Sequence, residues 1–303
     1  MVYLHENREE FTNAVNLASE YFHILPIIAE KDYYVTMILK LLSEKAPECV
    51  FKGGTSLSKC HHAIDRFSED IDIAFSNELT QGQRKHLKNE IIAGISQSLG
   101  LPISDWDRTR SRRDYNCYTF DYRPISGYMQ ESMIPGVKME VSLGSISFPT
   151  VKLPVDSYVY QYLWLENQDF VEEFQLKPFE MLLQSLERTF ADKVFAICDY
   201  YLSRKIQRNS RHIYDLYMLL PKLTLDASYK KLVAEIREQR AGMSICLSAK
   251  RGVNISDILK RIIKDEVYRS DYEEITTYFQ NHPVEYEEVI DVLEKIIQSK
   301  IFE

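Results

Sequence analysis

The stretch FKGGTSLSKCHHAIDRFSEDIDIAF, residues 51–75, decides how this chain is read, because it joins a glycine turn to a strand that carries paired carboxylates. In Asp70-Ile71-Asp72-Ile73 the side chains of a strand alternate, so both aspartates fall on one face while Ile71 and Ile73 enter the core. Two carboxylates on one sheet edge make a hard-cation site. Mg²⁺ takes one or two carboxylates and completes its octahedral shell with phosphates and water, so no all-protein cage is needed. Upstream, Gly53-Gly54 permits positive φ and a close backbone approach to a ligand. Thr55 or Ser56 can then cap a helix whose exposed N–H groups favour phosphate. The predicted order is a strand over residues 49–54, a Gly-Gly turn, a helix, a loop and an acidic strand over residues 70–75. By parity, Ser68 shares the face of Asp70 and Asp72 and is placed to touch a nucleotide.

Taken singly, an Asp-x-Asp is a common solvent-facing alternation and a Gly-Gly is weaker still; the signal lies in their combination. It resembles the polymerase-β-like nucleotidyltransferases, whose signature is a Gly-Gly or Gly-Ser turn followed by Asp-x-Asp or Asp-x-Glu. The closer resemblance is to the AbiEii/AbiGii abortive-infection toxin family. That family shares a GGT turn, here Gly53-Gly54-Thr55, and an RxSxDxD strand, here Arg66-Phe67-Ser68-Glu69-Asp70-Ile71-Asp72.

Composition bounds what surrounds this motif. The chain has 303 residues with 45% hydrophobic content, enough for a sizeable core in one large domain or two moderate lobes. A formal charge of −8 excludes a uniformly basic nucleic-acid binder, so any RNA contact needs a local patch. There is no apolar run of about 18 residues and no basic-then-apolar leader after Met1, which predicts a cytoplasmic protein with no membrane partner. Cys49, Cys60, Cys117, Cys198 and Cys246 are scattered and odd in number, as reduced thiols are. His61 and His62 are adjacent, and neighbours on a helix diverge by about 100°, so they read as surface or packing residues rather than ligands of one ion.

Along the chain, residues 9–23 and 27–44 read as helices, the first with Phe11, Val15, Leu17 and Tyr21 on its apolar side. The second contains Glu30-Lys31-Asp32-Tyr33-Tyr34-Val35, which is similar to a recurrent segment of the same family. Its role is read as packing the helix on the sheet, with Lys31 and Asp32 on a solvated salt-bridging face. Residues 82–99 form a helix, residues 115–122 and 137–143 form strands, and residues 124–136 are their Pro- and Gly-marked hairpin connection. On the second of these strands Lys138, Glu140 and Ser142 alternate with Val137, Met139 and Val141. Glu140 is thereby placed to join Asp70 and Asp72 from a neighbouring strand, where the resembled superfamily carries its third acid. Three carboxylates at one sheet edge would serve in-line phosphoryl chemistry with bridged metals.

From Pro178 the chain is expected to be helical to its end, starting with one long helix over residues 179–204. Leu182, Leu186, Phe190, Val194 and Ile197 form its buried stripe, and Ser185, Thr189 and Lys193 share another face. A lysine there suits triphosphate oxygens as a flexible point charge, with Thr189 as a hydrogen-bonding neighbour. Family members place a serine or threonine four residues before a lysine on this helix. RHIYDLYML, residues 211–219, looks like the family's RD-x-YDL motif, with His212 where an aspartate is common; Asp215 is retained, to orient Lys193 or to accept a proton. Basic residues gather at Arg108, Arg110, Arg112 and Arg113, and at Arg204, Lys205, Arg208 and Arg211, each a solvated loop or part of a phosphate-binding track. The charged tail over residues 257–301 reads as a solvated helical face.

The expectation is an α/β chain with a polymerase-β-like nucleotidyltransferase core, a small mixed sheet with flanking helices, over residues 1–155, and a mainly helical lobe over residues 156–303 completing an active-site cleft. Catalysis falls to Asp70, Asp72, Glu140, Lys193 and Asp215; nucleotide binding to Lys52, Gly53, Gly54, Thr55, Ser68, Thr189 and Lys193; metal binding to Asp70, Asp72 and Glu140. The metal is Mg²⁺, with Mn²⁺ as an alternative, and the substrate is a nucleoside triphosphate whose α-phosphorus is attacked by an acceptor hydroxyl. What the resemblance implies beyond this is a toxin of a toxin–antitoxin or phage-defence pair, with a cognate antitoxin and tRNA or other RNA as acceptor. A small molecule or protein side chain as acceptor, and a non-catalytic nucleotide-binding regulator, are the alternatives.

Overall fold

The computed structural model describes residues 2–125 and 136–303. Most of the hairpin connection expected at residues 124–136 lies outside the described residues. The chain divides into two compact units, Met1–Cys60 with Glu69–Gly144 and Thr150–Leu183, and His61–Ser68 with Ser145–Pro149 and Gln184–Glu303.

The first unit is built on a mixed sheet. Its strands are β1 (Cys49–Lys52), β2 (Ile71–Phe75), β3 (Tyr115–Asp121), β4 (Gly136–Ile146), β5 (Thr150–Val155) and β6 (Phe179–Gln184), in the order β3-β4-β2-β1-β6-β5. β1 pairs antiparallel with β2, and β3 antiparallel with β4, while β1 and β6 run parallel. Phe51, Ile71, Ile73, Phe120, Val137, Met139 and Val141 are buried, which is the apolar half of the alternation read from sequence.

Helices α1 (Arg8–Phe22) and α2 (Pro26–Lys45) pack together and on α6 (Tyr158–Glu166). Asn7 caps α1 by accepting a hydrogen bond from the Glu10 N–H, and Pro26 opens α2 with the φ a helix needs. The buried side of α1 is Phe11, Ala14, Val15 and Ala18; Leu17 and Tyr21, expected on that side, are 45% and 52% exposed. Small Ala14 and Ala18, which carry little hydrophobic signal, set the contact line, and it passes one step away from Leu17 and Tyr21.

Between the strands run α3 (Gly53–Lys59), α4 (Gln81–His86), α5 (Ala93–Leu99), with a π-helical stretch Leu87–Ile92 joining α4 to α5, and α7 (Gln168–Glu173). The helix expected over residues 82–99 is thus present. The long helix expected over residues 179–204 is not. Residues 179–184 form β6, Ser185 is the N-cap whose hydroxyl accepts from the Arg188 N–H, and α8 spans Leu186–Leu202. A short apolar run fits a buried parallel strand as well as a helix, and pairing of Val50 with Leu182 and Phe51 with Leu183 settles it as a strand.

The second unit is helical, with α8, α9 (Arg211–Leu219), α10 (Ala227–Ala241), α11 (Ile255–Asp265), α12 (Arg269–Asp271) and α13 (Tyr286–Ser299). α8 packs against α9, α10 and α11, and α13 against α9 and α11. Phe190, Val194, Ile197, Ile213, Leu216, Leu259, Val292 and Leu293 are its buried centre, so the charged tail keeps one face in the core and one in solvent. All five cysteines are free thiols. Among the described residues no helix is long and apolar enough to cross a membrane.

Candidate functional site

The first unit collects its acids on the open face of the sheet. β1 and β2 are in register with Lys52 opposite Asp72, so these two side chains lie on one face at the point where the chain leaves β1 for α3. α3 starts immediately at Gly53, so the glycine pair is the first turn of the helix rather than a separate loop. Thr55 and Ser56 do not cap it: Lys52 is the N-cap, without a side-chain hydrogen bond, and both hydroxyl residues are buried inside the helix. The glycines supply closeness instead. Gly53 has φ +81°, and a Cβ at this position would lie 1.9 Å from Asp72 Oδ2. No other residue type fits that approach without moving the carboxylate.

Glu140 comes from β4, the strand beside β2, and stands opposite Cys117 of β3. Two residues along β3, Tyr115 is close enough to Glu140, Cys117 and Asp72 that, after burial, their charges raise its pKa. Burial and then Glu140, with Asp105 and Asp70 adding to it, push the Cys117 thiol up to about 11. Asp72 and Glu140 therefore share a neighbourhood, with Tyr115 beside both and itself 52% exposed. Asp70 stands one residue before β2, outside the ladder that fixes Asp72. Among the described residues no three His, Cys, Asp or Glu side chains gather closely enough to hold an ion by themselves. The chain offers a partial set of hard oxygen donors, the kind that Mg²⁺ uses when phosphates and water fill its remaining positions.

The residues singled out later in the sequence form a closed cluster within the second unit. Asp215 of α9 is fully buried and accepts hydrogen bonds from Arg66 Nε at 2.7 Å, from Arg66 Nη2 at 2.8 Å and from Lys193 Nζ at 2.6 Å. The two-pronged guanidinium contact fixes the carboxylate plane, and the ammonium adds a third donor. Burial alone would raise the Asp215 pKa, but Arg66 and Lys193 outweigh it and hold the carboxyl well below its ordinary range. The Lys193 pKa is lowered as well, but for a lysine this disfavours the charged form: burial lowers it first, Asp215 opposes the shift, and Arg66 and Arg211 add to it. Lys193 is therefore not the flexible exposed cation expected from its spacing; it is 6% exposed and held by its partner. Arg211 is exposed, and Arg66 is the arginine that pairs with Asp215.

Thr189 is buried, and its hydroxyl accepts from Gln184 Nε2 at 3.1 Å. Ser68 belongs to the segment His61–Ser68 of the second unit and lies outside β2, so strand parity does not govern it. His212 stacks on Tyr200 with ring centroids 5.6 Å apart, and burial, Lys193 and Arg211 hold it neutral. Among the described residues its Nδ1 has no hydrogen-bond partner.

Both basic clusters are exposed. The first lies on a loop held by Lys88, whose ammonium sits 4.6 Å from the Trp106 ring centre and donates to the Thr109 carbonyl at 2.8 Å.

Lys31 and Asp32 depart from the solvated face expected of them. Lys31 is buried and ion-paired with Glu69, and Asp32 is ion-paired with Lys59. Two residues with evident connections to the site had no role in the sequence account. Arg66 was visible inside the Arg-x-Ser-x-Asp-x-Asp string, and an arginine at a fixed place before an acidic strand is the signal that could have marked it. Tyr115 had none beyond its place in an aromatic strand.

A family model described as nucleotidyl transferase AbiEii toxin, type IV TA system, matches residues 38–292. The chain belongs to the AbiEii family. A search of curated proteins finds no match. The match encloses the Gly-Gly turn, Asp70, Asp72, Glu140, Lys193 and Asp215, so the AbiEii assignment covers both the carboxylate face and the buried Asp215 cluster. It leaves out Glu30, Lys31 and Asp32.

Proposed function

We propose that this AbiEii chain is a metal-dependent nucleotidyltransferase with a polymerase-β-like core, moving a nucleoside monophosphate from a nucleoside triphosphate to an acceptor hydroxyl with release of pyrophosphate. The acceptor we propose is RNA, with tRNA first among the candidates, and the biological role is that of the toxin in a toxin–antitoxin pair. The observation that carries the chemistry is the approach of Gly53 to Asp72 on the face that also bears Glu140. On this reading the Gly53 backbone binds phosphate and the neighbouring Asp72 carboxylate binds metal, and their closeness supports it.

Asp72 and Glu140 are assigned to hold Mg²⁺ or Mn²⁺, with Asp70 as the third acid. When bound, the ion supplies Lewis-acid stabilisation of charge on the transferring phosphoryl group and its leaving oxygen. The chain's own share is orientation. Lys52, Gly53, Gly54 and Thr55 are assigned to the triphosphate, and Tyr115 is assigned to support Glu140 beside it. Lys193 is assigned to anion binding; an ammonium has three donors and Asp215 accepts one. Asp215 then acts as a positioning residue that fixes Lys193, which its buried contacts support more directly than a role as proton acceptor. The exposed arginines at 108, 110, 112 and 113 give an acidic protein a local patch for a phosphate backbone.

The test incubates the chain with each labelled nucleoside triphosphate, Mg²⁺ and total RNA, beside Asp72→Asn. Label in an RNA band that vanishes in the variant is the expected result. Label in protein or a small molecule would replace the acceptor, and no label anywhere would overturn the enzymatic reading. Growth arrest on expression, relieved by the neighbouring gene, tests the toxin role separately.

A further inference from the structure

Successive residues on a helix point about 100° apart, so three in a row ordinarily cannot serve one contact surface. In α2, Glu30, Lys31 and Asp32 use this divergence to grip separate pieces of the first unit. Glu30 Oε1 accepts the Ile125 N–H at 2.9 Å, where the chain leaves β3. Lys31 pairs with Glu69, the residue before Asp70. Asp32 takes the ammonium of Lys59, the last residue of α3, with one oxygen and the N–H of Tyr158, the first residue of α6, at 2.9 Å with the other. One turn further on, Thr36 Oγ1 donates to the Asp156 carbonyl at 3.3 Å. Glu30 and Lys31 are 1% and 3% exposed.

Helix packing alone does not call for this. Removing a charge from water costs several kcal/mol, and a buried ion pair commonly returns no more than that, so apolar residues of like volume would hold α2 to the sheet at least as well. What the charges add is direction. Each contact names one partner atom, and the segments so named are those that carry the proposed site: Glu69 is bonded to Asp70, Lys59 closes the helix that begins at Gly53, and β3 carries Tyr115. We propose that Glu30-Lys31-Asp32 is a three-way positioning clamp that sets Asp70 and the Gly53 helix in register for metal and nucleotide. The proposal rests on the metal-dependent reading of the carboxylate face. Lys31 and Glu69 touch no reacting atom; they act through Asp70.

The test measures Mn²⁺ binding to the full-length chain by the loss of free-ion paramagnetic resonance, together with thermal melting, for Lys31→Met, Lys31→Arg and Glu69→Gln. Partners behind metal ligands typically change affinity by about ten- to a hundredfold, so Lys31→Met and Glu69→Gln should raise the Mn²⁺ midpoint about tenfold or more. Lys31→Arg, which keeps the ion pair, should bring it back near wild type. A merely structural contact would lower the melting temperature and leave the midpoint in place, and that outcome overturns the clamp. Unfolding of Glu69→Gln, whose partner side is part-exposed, would also overturn it by showing a scaffold contact. Because Mn²⁺ binding is read without turnover, a chain that binds Mn²⁺ through this clamp but transfers no nucleotide would fail the proposed function and not the clamp. A wild-type chain that binds no Mn²⁺ would fail both.

Discussion

Two carboxylates of this protein meet opposite fates. Glu30 of α2 is buried with its charge poorly compensated: burial raises its pKa to about 7, against the pull of the Ile125 N–H and Arg8. Asp215 of α9 is buried as deeply and stays ionised, because Arg66 and Lys193 close on it. The open sheet face is a third case, with Asp72 and Glu140 half-buried and facing a common space. Burial alone decides nothing about a carboxylate. What it faces does: a single N–H, two cations, or other acids on a half-buried sheet face.

The sharpest way to break this comparison is at Gly53. Gly53→Ala drives a methyl group into Asp72 and strains a φ of +81°, so nucleotidyl transfer should fall by about three orders of magnitude, with metal binding weakened in parallel. Transfer within about tenfold of wild type would show that the close approach has no functional part. Next in size, Asp215→Asn leaves two buried cations facing a neutral group. Losing one partner of such a set costs about 3–5 kcal/mol, visible as a lower urea midpoint, while the double change Arg66→Met with Asp215→Leu should cost less than the single one. A neutral result for Asp215→Asn would remove the contrast between the two regions.

The buried pair of acids also predicts opposite pH behaviour. Glu30 binds its proton more tightly folded than unfolded, so stability should decline as pH rises from about 4.5 to about 7 and then level off, on the order of 3 kcal/mol in all. Arg8, Tyr34 and Tyr122 are the titratable groups around it. Glu30→Gln should flatten that slope in pH-dependent chemical denaturation; an unchanged slope would refute the assignment. Asp215, whose folded pKa is lowered, contributes stability that persists above the ordinary aspartate range and is lost only toward strong acid. The smallest effect is expected at Tyr115. Tyr115→Phe removes the hydroxyl beside Glu140 and should raise the Mg²⁺ requirement of transfer by about three- to tenfold. If the Mg²⁺ midpoint does not move, Tyr115 is a wall of the site and not a support of Glu140.

Much of this was legible in the sequence for local reasons. Alternation placed Asp72 and Glu140 opposite the apolar residues of β2 and β4, and both lie on those strands. The glycine pair signalled close approach, which Gly53 makes to Asp72. What failed were statements that depend on neighbours distant in sequence. Residues 179–184 carry an apolar run that fits two kinds of element, and a parallel partner chose the strand. Lys31 and Asp32 have the look of a solvated face because charge is visible in a string and counter-charges 38 and 27 residues away are not. That Asp215 meets Lys193 was readable from the family-like motifs; that Arg66 joins them and all three are buried was not, because Arg66 lies 149 residues from Asp215.

By itself the sequence determined the family, the alternation that puts acids on one face of a sheet, and the glycine that lets a backbone approach them, because each depends on residue type and short spacing. Tertiary structure alone decided which charges are spent on one another. Arg66 reaches Asp215 across 149 residues of chain, and Lys31 reaches Glu69 across 38. Coulomb attraction depends on distance in space and on surrounding dielectric, and neither is written in the order of the residues.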